Sequence, residues 1–180
     1  MQQRCATSAK NVCRKILQPG AAIQATVPPL CDIFINHRGT DTMNMKPGDK
    51  LFGKINPAIR SCKLGVAIFS PNYCDSYFCL HELALMMESK KRVIPVFCDV
   101  KPSQLQVVDY RTRSTEQLQR FSWALEEAKY TVGLAFDTLQ GDWPGFLNTA
   151  TDAVIKNLVE LEAENSSKKN TYIVEGHQRK

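Results

Sequence analysis

Glu82 is the acid in this sequence best placed to act on a bound molecule. It lies in the run Tyr77-Phe78-Cys79-Leu80-His81-Glu82-Leu83, one helical turn after Phe78 and off the apolar stripe of Leu80, Leu83, Ala84 and Met87. Helical geometry then lets Glu82 face the loops while the stripe faces a core. A carboxylate in that position can hydrogen-bond hydroxyls and stabilise a developing positive centre, and Phe78 or Tyr77 offers a ring for stacking. A second group is the polar turn His37-Arg38-Gly39-Thr40-Asp41-Thr42. Arg suits bidentate phosphate binding, and Gly lets a backbone approach a ligand. Each feature also has an ordinary reading. From spacing alone Glu82 is a solvated helix glutamate, Arg38 an exposed turn residue, and Lys46-Pro47-Gly48-Asp49 a plain Pro-Gly turn. Nothing pairs His37 or His81 with a nucleophile, so both read as solvated surface histidines. Cys79 reads as a packing residue.

These groups need a scaffold, and the hydrophobic pattern supplies one. Residues 31–36 (CDIFIN), 64–69 (LGVAIF) and 92–97 (RVIPVF) are short apolar runs of strand length, with 131–136 a weaker fourth. Between them, Leu51, Ile55, Ala58 and Ile59 recur at helical spacing, although Pro57 should bend or shorten that helix. Residues 77–89, 116–129 and 144–161 also read as helices, the last with Phe146, Ala150, Ala153, Val154, Leu158 and Leu161 on one side. The polar residues from 164 onward are expected to fray. Strands alternating with helices pair in parallel, with helices on both faces. The expected fold is therefore an α/β, doubly wound parallel sheet. Ligands bind such sheets beyond the carboxyl ends of the strands. The loops 37–49 and 70–76 lie at that edge.

Composition narrows the function. The chain has 180 residues, 43% apolar and 23% charged, with a formal charge of +5. Between Asp32 and Glu160 there are 15 acidic and 15 basic residues, so the excess charge comes from the ends. A neutral body with basic tails argues against a dedicated nucleic-acid surface. No run reaches the roughly 18 apolar residues of a membrane helix. The seven cysteines are odd in number and follow no secretory signal, which favours reduced thiols in the cytoplasm. None has zinc spacing, so no metal site is expected. The expected organisation is a basic flexible tail over 1–29, one domain over 30–161 and a polar tail over 162–180. The acid-free N-terminal segment only weakly resembles a transit peptide.

Five segments in order resemble the plant TIR (Toll/interleukin-1 receptor) family. They are Asp32–Thr42 with its Arg-Gly-x-Asp-Thr loop, Lys46-Pro47-Gly48-Asp49, Phe69-Ser70-Pro71-Asn72-Tyr73, the run from Tyr77 to Leu83, and Val93-Ile94-Pro95-Val96-Phe97 with Asp99-Val100-Lys101-Pro102-Ser103. The resemblance implies a flavodoxin-like TIR fold in a stand-alone TIR protein of plant innate immune signalling. It implies NAD or NADP as substrate, with no separate cofactor, and cleavage of the nicotinamide–ribose bond. Glu82 is then the catalytic residue, and Arg38, Gly39, Thr40, Asp41, Gly48 and Phe78 contact the dinucleotide. Nicotinamide departs neutral and needs no general acid. One carboxylate suffices to hold the ribose and stabilise an oxocarbenium-like centre, as in glycosidases. The resemblance also implies homo-oligomers or contacts with other TIR domains. The alternatives are a non-catalytic TIR–TIR interaction module and a truncated inactive variant.

One departure from the family is large. Thr42 runs directly into Met43-Asn44-Met45-Lys46, where the family has its first helix and second strand. An average helix of ~12 residues and a strand of ~5 are missing. Because the missing strand is the outer edge, four strands should remain, with residues 31–36 as an exposed apolar edge and one face short of a helix.

Overall fold

β1 (Ile33–His37), β2 (Leu64–Phe69), β3 (Arg92–Cys98) and β4 (Leu134–Phe136) form one sheet in a computed structural model that describes residues 31–38, 50–109 and 113–177. All three pairings are parallel and the order is β1-β2-β3-β4. Each crossover carries a helix. These are α1 (Leu51–Ser61), α2 (Tyr77–Glu88) and α3 (Thr115–Lys129), and α4 (Trp143–His177) follows β4. This is the parallel α/β sheet that the alternating pattern predicts, flavodoxin-like and four-stranded as the family resemblance and its missing segment imply.

Sequential parallel strands need long crossovers, and the helices fill them. β2 and β3 are apolar along nearly their whole length because both of their faces are covered. The larger core lies between the sheet and α1, α2 and α3. It contains Ile59, Phe69, Leu80, Leu83, Met86, Phe121 and Leu125. The smaller core, around Val66, Val96, Cys98 and Phe136, is closed by Trp143, Phe146 and Val154 of α4. On that second face Ile33, Ile35 and Ile68 are only partly buried. Of the five residues of β1, Asn36 alone is fully buried. The outer strand is thus as thinly covered as the missing helix and strand would leave it.

Gly65 explains how closely α2 lies over β2. A Cβ there would meet Met86 Sδ at 2.5 Å and Val93 Cγ2 at 3.3 Å, so a side chain would displace Met86. Ser76 starts that helix, its side chain accepting from the backbone N–H of Cys79 at 3.3 Å.

Several boundaries differ from the sequence reading. The buried side of α2 includes Leu85 and Met86, whereas Met87 is half-buried. The helix sits between α1 and α3 and has more than one stripe to bury. α1 continues through Pro57 to Ser61. β4 begins at Leu134 rather than 131, because the Thr131 hydroxyl still caps α3 by donating to Glu127 O. α4 runs past the predicted end at 161 to His177. Ion pairs at the amino ends of the strands tie down its first turn beyond that point. Arg92 contacts Glu160 and Glu164, and Lys63 contacts Glu162 and Asp32.

Candidate functional site

The carboxyl ends of β1 and β2 converge on the first turns of α2. β1 ends in Asn36 and His37 with Arg38 just beyond, β2 leads into a 3-10 turn at Tyr73–Asp75, and α2 carries Phe78 and Glu82. Asn36 is the hub. Its Nδ2 donates to Glu82 Oε2 at 3.1 Å and to the Cys79 carbonyl at 2.9 Å. The Tyr73 hydroxyl lies 2.5 Å from Asn36 Oδ1 and 3.1 Å from the Cys79 carbonyl.

Glu82 is half-buried, and burial pushes its carboxyl up to about 7. Its Oε1 accepts no hydrogen bond from any described residue. A carboxylate with one oxygen tied and the other available can grip a sugar hydroxyl while its charge steadies a cation. Tyr73 is fully buried. That burial, with Cys79 and Glu82 beside it, holds the phenol protonated. Burial likewise pushes the Cys79 thiol up to about 11, which makes it a neutral packing group and no nucleophile.

Arg38 reaches from the end of β1 to Asn72 and Asp75. Its Nη1 donates to the Asn72 carbonyl at 2.5 Å and pairs with Asp75 at 3.3 Å. It stands exposed on the same edge of the sheet as Glu82. Phe78, 44% exposed, packs at 5.5 Å between ring centroids on Phe52 of α1, itself 39% exposed. Phe78 precedes Glu82 by four residues and so shares its helix face. Gly39, Thr40, Asp41, Lys46 and Gly48 lie outside the described residues.

The two histidines part company. His37 follows Asn36 in β1 and so projects to the opposite face of the sheet. His81 is half-buried rather than solvated. Arg120 Nη1 lies 3.2 Å from its Nδ1, and Asn56 Oδ1 lies 3.2 Å from its Nε2. Since the guanidinium can only donate, Nδ1 accepts and the proton sits on Nε2. Burial first, then Arg120, lowers the His81 pKa, so it is a neutral tether between α1, α2 and α3.

Sequence reasoning missed Asn36, Tyr73 and Phe52. The signal for Asn36 was present, since an amide inside an apolar strand must find buried partners. Nothing in the sequence indicated which.

A family model described as a TIR domain matches residues 32–122, half of the chain. The chain belongs to the TIR domain family. A Brachypodium distachyon protein named "Probable 2' cyclic ADP-D-ribose synthase BdTIR" is 42% identical over 158 positions, covering 73% of this chain and 70% of the relative. The TMV resistance protein N of Nicotiana glutinosa is 33% identical, over 57% of this chain and 12% of its own length. The TIR domains of the activated Roq1 resistosome share the fold, with a TM-score of 0.59 at 22% identity over 69% of this chain and 99% of theirs. Among the described residues of this TIR chain, no helix is long and apolar enough to cross a membrane.

Proposed function

We propose that this TIR chain is an NAD nucleosidase of plant immune signalling, with Glu82 as its catalytic residue. The observation that carries the reading is the Glu82 carboxylate itself. It is half-buried at the carboxyl edge of the sheet, held at one oxygen and, among the described residues, unbonded at the other. The name of the Brachypodium relative points to the same chemistry.

The scissile bond joins ribose to a cationic nicotinamide. As it breaks, its electron pair neutralises the ring, and positive charge develops on the ribose. Glu82 grips a ribose hydroxyl and stabilises that charge, a role that needs the ionised carboxylate. Attack by water then gives ADP-ribose, with one proton released. Attack by a hydroxyl within the ADP-ribosyl unit gives a cyclic product instead. Arg38 and the 39–42 turn hold the phosphates, Gly48 closes over them, and Phe78 stacks on a ring. NADP fits the same chemistry. The domain begins near residue 30 and runs into α4, acts in the cytoplasm, and works as a homo-oligomer or with other TIR domains.

The test is nicotinamide release by the purified chain across a wide range of protein concentration. Release that is lost in Glu82→Ala supports the enzyme. Specific activity that climbs with concentration supports assembly. An intact fold that releases no nicotinamide at any concentration leaves the interaction module or a truncated inactive variant.

A further inference from the structure

We propose that Asn36, braced by Tyr73, is the positioning residue for Glu82, holding Oε2 so that Oε1 is the oxygen presented to a ribose hydroxyl. This deepens the nucleosidase reading and rests on it.

Asn36 is the one polar residue fully buried among the described residues, and it lies on the least covered strand of the sheet. A buried amide is expensive unless every polar atom is matched. Here each one is. Nδ2 has two protons, and one goes to the Cys79 carbonyl, which can only accept, and the other to Glu82 Oε2. The carbonyl fixes which end of the amide is nitrogen. Oδ1 therefore faces the Tyr73 hydroxyl, which donates to it. The buried phenol keeps its single proton and gives it to the nearer of two acceptors, Asn36 Oδ1 at 2.5 Å rather than the Cys79 carbonyl at 3.1 Å, so rotating Asn36 would lose that bond.

The relay joins β1, the turn after β2 and the first turns of α2. One Nδ2 proton anchors the α2 backbone at Cys79, and the other anchors the carboxylate three residues later. The distance between helix and strand thus sets the place of Oε2. The titratable groups facing Glu82 on these elements are Tyr73 and Cys79, both held neutral by burial. Beyond them, Arg38 at the end of β1 is engaged by Asn72 and Asp75. Asn36 is then the group that specifically favours the ionised carboxylate. A hydrogen bond to an ionised acceptor changes proton affinity by about tenfold or more.

The experiment uses the full chain, with Asn36→Leu and Tyr73→Phe as variants. The Glu82 carboxyl is titrated by carbon NMR, its signal assigned by its loss in Glu82→Gln. Nicotinamide release from NAD is followed in parallel as kcat and KM against pH. In Asn36→Leu, Glu82 should bind its proton about tenfold more tightly, and kcat at neutral pH should fall by about tenfold with much less change in KM. Activity should partly return as pH rises and Glu82 ionises. Tyr73→Phe keeps the ring and should shift both readouts the same way by less. It carries the test if Asn36→Leu does not fold. A Glu82 titration unmoved in the folded variants overturns the proposal, even if the wild type cleaves NAD. A shifted titration in a protein that cleaves no NAD supports the positioning by Asn36 and overturns the nucleosidase reading instead.

Discussion

Glu82 is held by an amide, Asn36 Nδ2 at 3.1 Å, and not by a cation among the described residues. A neutral donor orients a carboxylate without cancelling the penalty of burying its charge. Burial therefore dominates, and the carboxyl titrates at about 7, well above its ordinary 4.5. The activity and stability of this chain should depend on pH in opposite ways for that reason.

For activity, the ionised form does the work. Nicotinamide release should rise as pH increases through about 7 and level off above it. Glu82→Ala and Glu82→Gln should abolish release at every pH while leaving the far-UV circular dichroism unchanged. Turnover in Glu82→Gln equal to wild type would show that another group supplies the charge.

For stability the sign reverses. A carboxyl with a raised folded pKa binds its proton more tightly folded than unfolded. Its stabilisation is complete below about 4.5 and is lost as pH rises through about 7. The shift corresponds to about 3 kcal/mol at most. Glu82→Gln removes the buried charge, so it should raise Tm clearly at pH 8 and hardly at pH 4.5. Equal gains at both values would mean that Glu82 is solvated in the folded protein.

Two glycines should respond to alanine in opposite directions. At Gly133 a Cβ would lie 2.5 Å from the Pro95 carbonyl oxygen and 2.9 Å from Phe97. That oxygen is backbone and has little room to give, so Gly133→Ala should destabilise by about 1–3 kcal/mol. At exposed Gly53 in α1 the nearest atom is Lys50 Cβ at 3.6 Å, and Gly53→Ala should stabilise by about 0.5–1 kcal/mol. Urea titrations of both variants decide the matter, and two shifts of the same sign would contradict the packing described.

The thin cover over Ile33, Ile35 and Ile68 yields the last prediction. Buried apolar area stabilises by about 25 cal/mol per Å², and a helix with an edge strand covers several hundred Å². Inserting such a pair after Thr42 should raise Tm and increase nicotinamide release by about tenfold or more, equivalent to about 1.4 kcal/mol in the barrier. Melting curves and a nicotinamide assay on the two proteins make the comparison. Identical behaviour would show that residues 37–49 already complete the site.

Local patterning carried most of the architecture. β2 and β3 are legible as apolar runs because central parallel strands are buried on both faces, and Glu82 is legible as an off-stripe residue because a helix has a fixed period. Asn36 and Tyr73 were not legible as the partners of Glu82. They stand 46 and nine residues from it in the chain, and only the crossover through α1 and the turn after β2 brings them to one amide. The reach of α4 beyond 161 was hidden for a similar reason. Its polar sequence has no apolar stripe to announce a helix, and the turn just past 161 is tied down by ion pairs of Glu162 and Glu164 to Lys63 and Arg92, near the starts of β2 and β3. Periodicity is a property of neighbours along the chain, so the sequence alone determined the central elements and the place of Glu82 off the apolar stripe. Which side chains meet across 30 to 100 positions depends on how the elements stack, and the tertiary structure alone decided that.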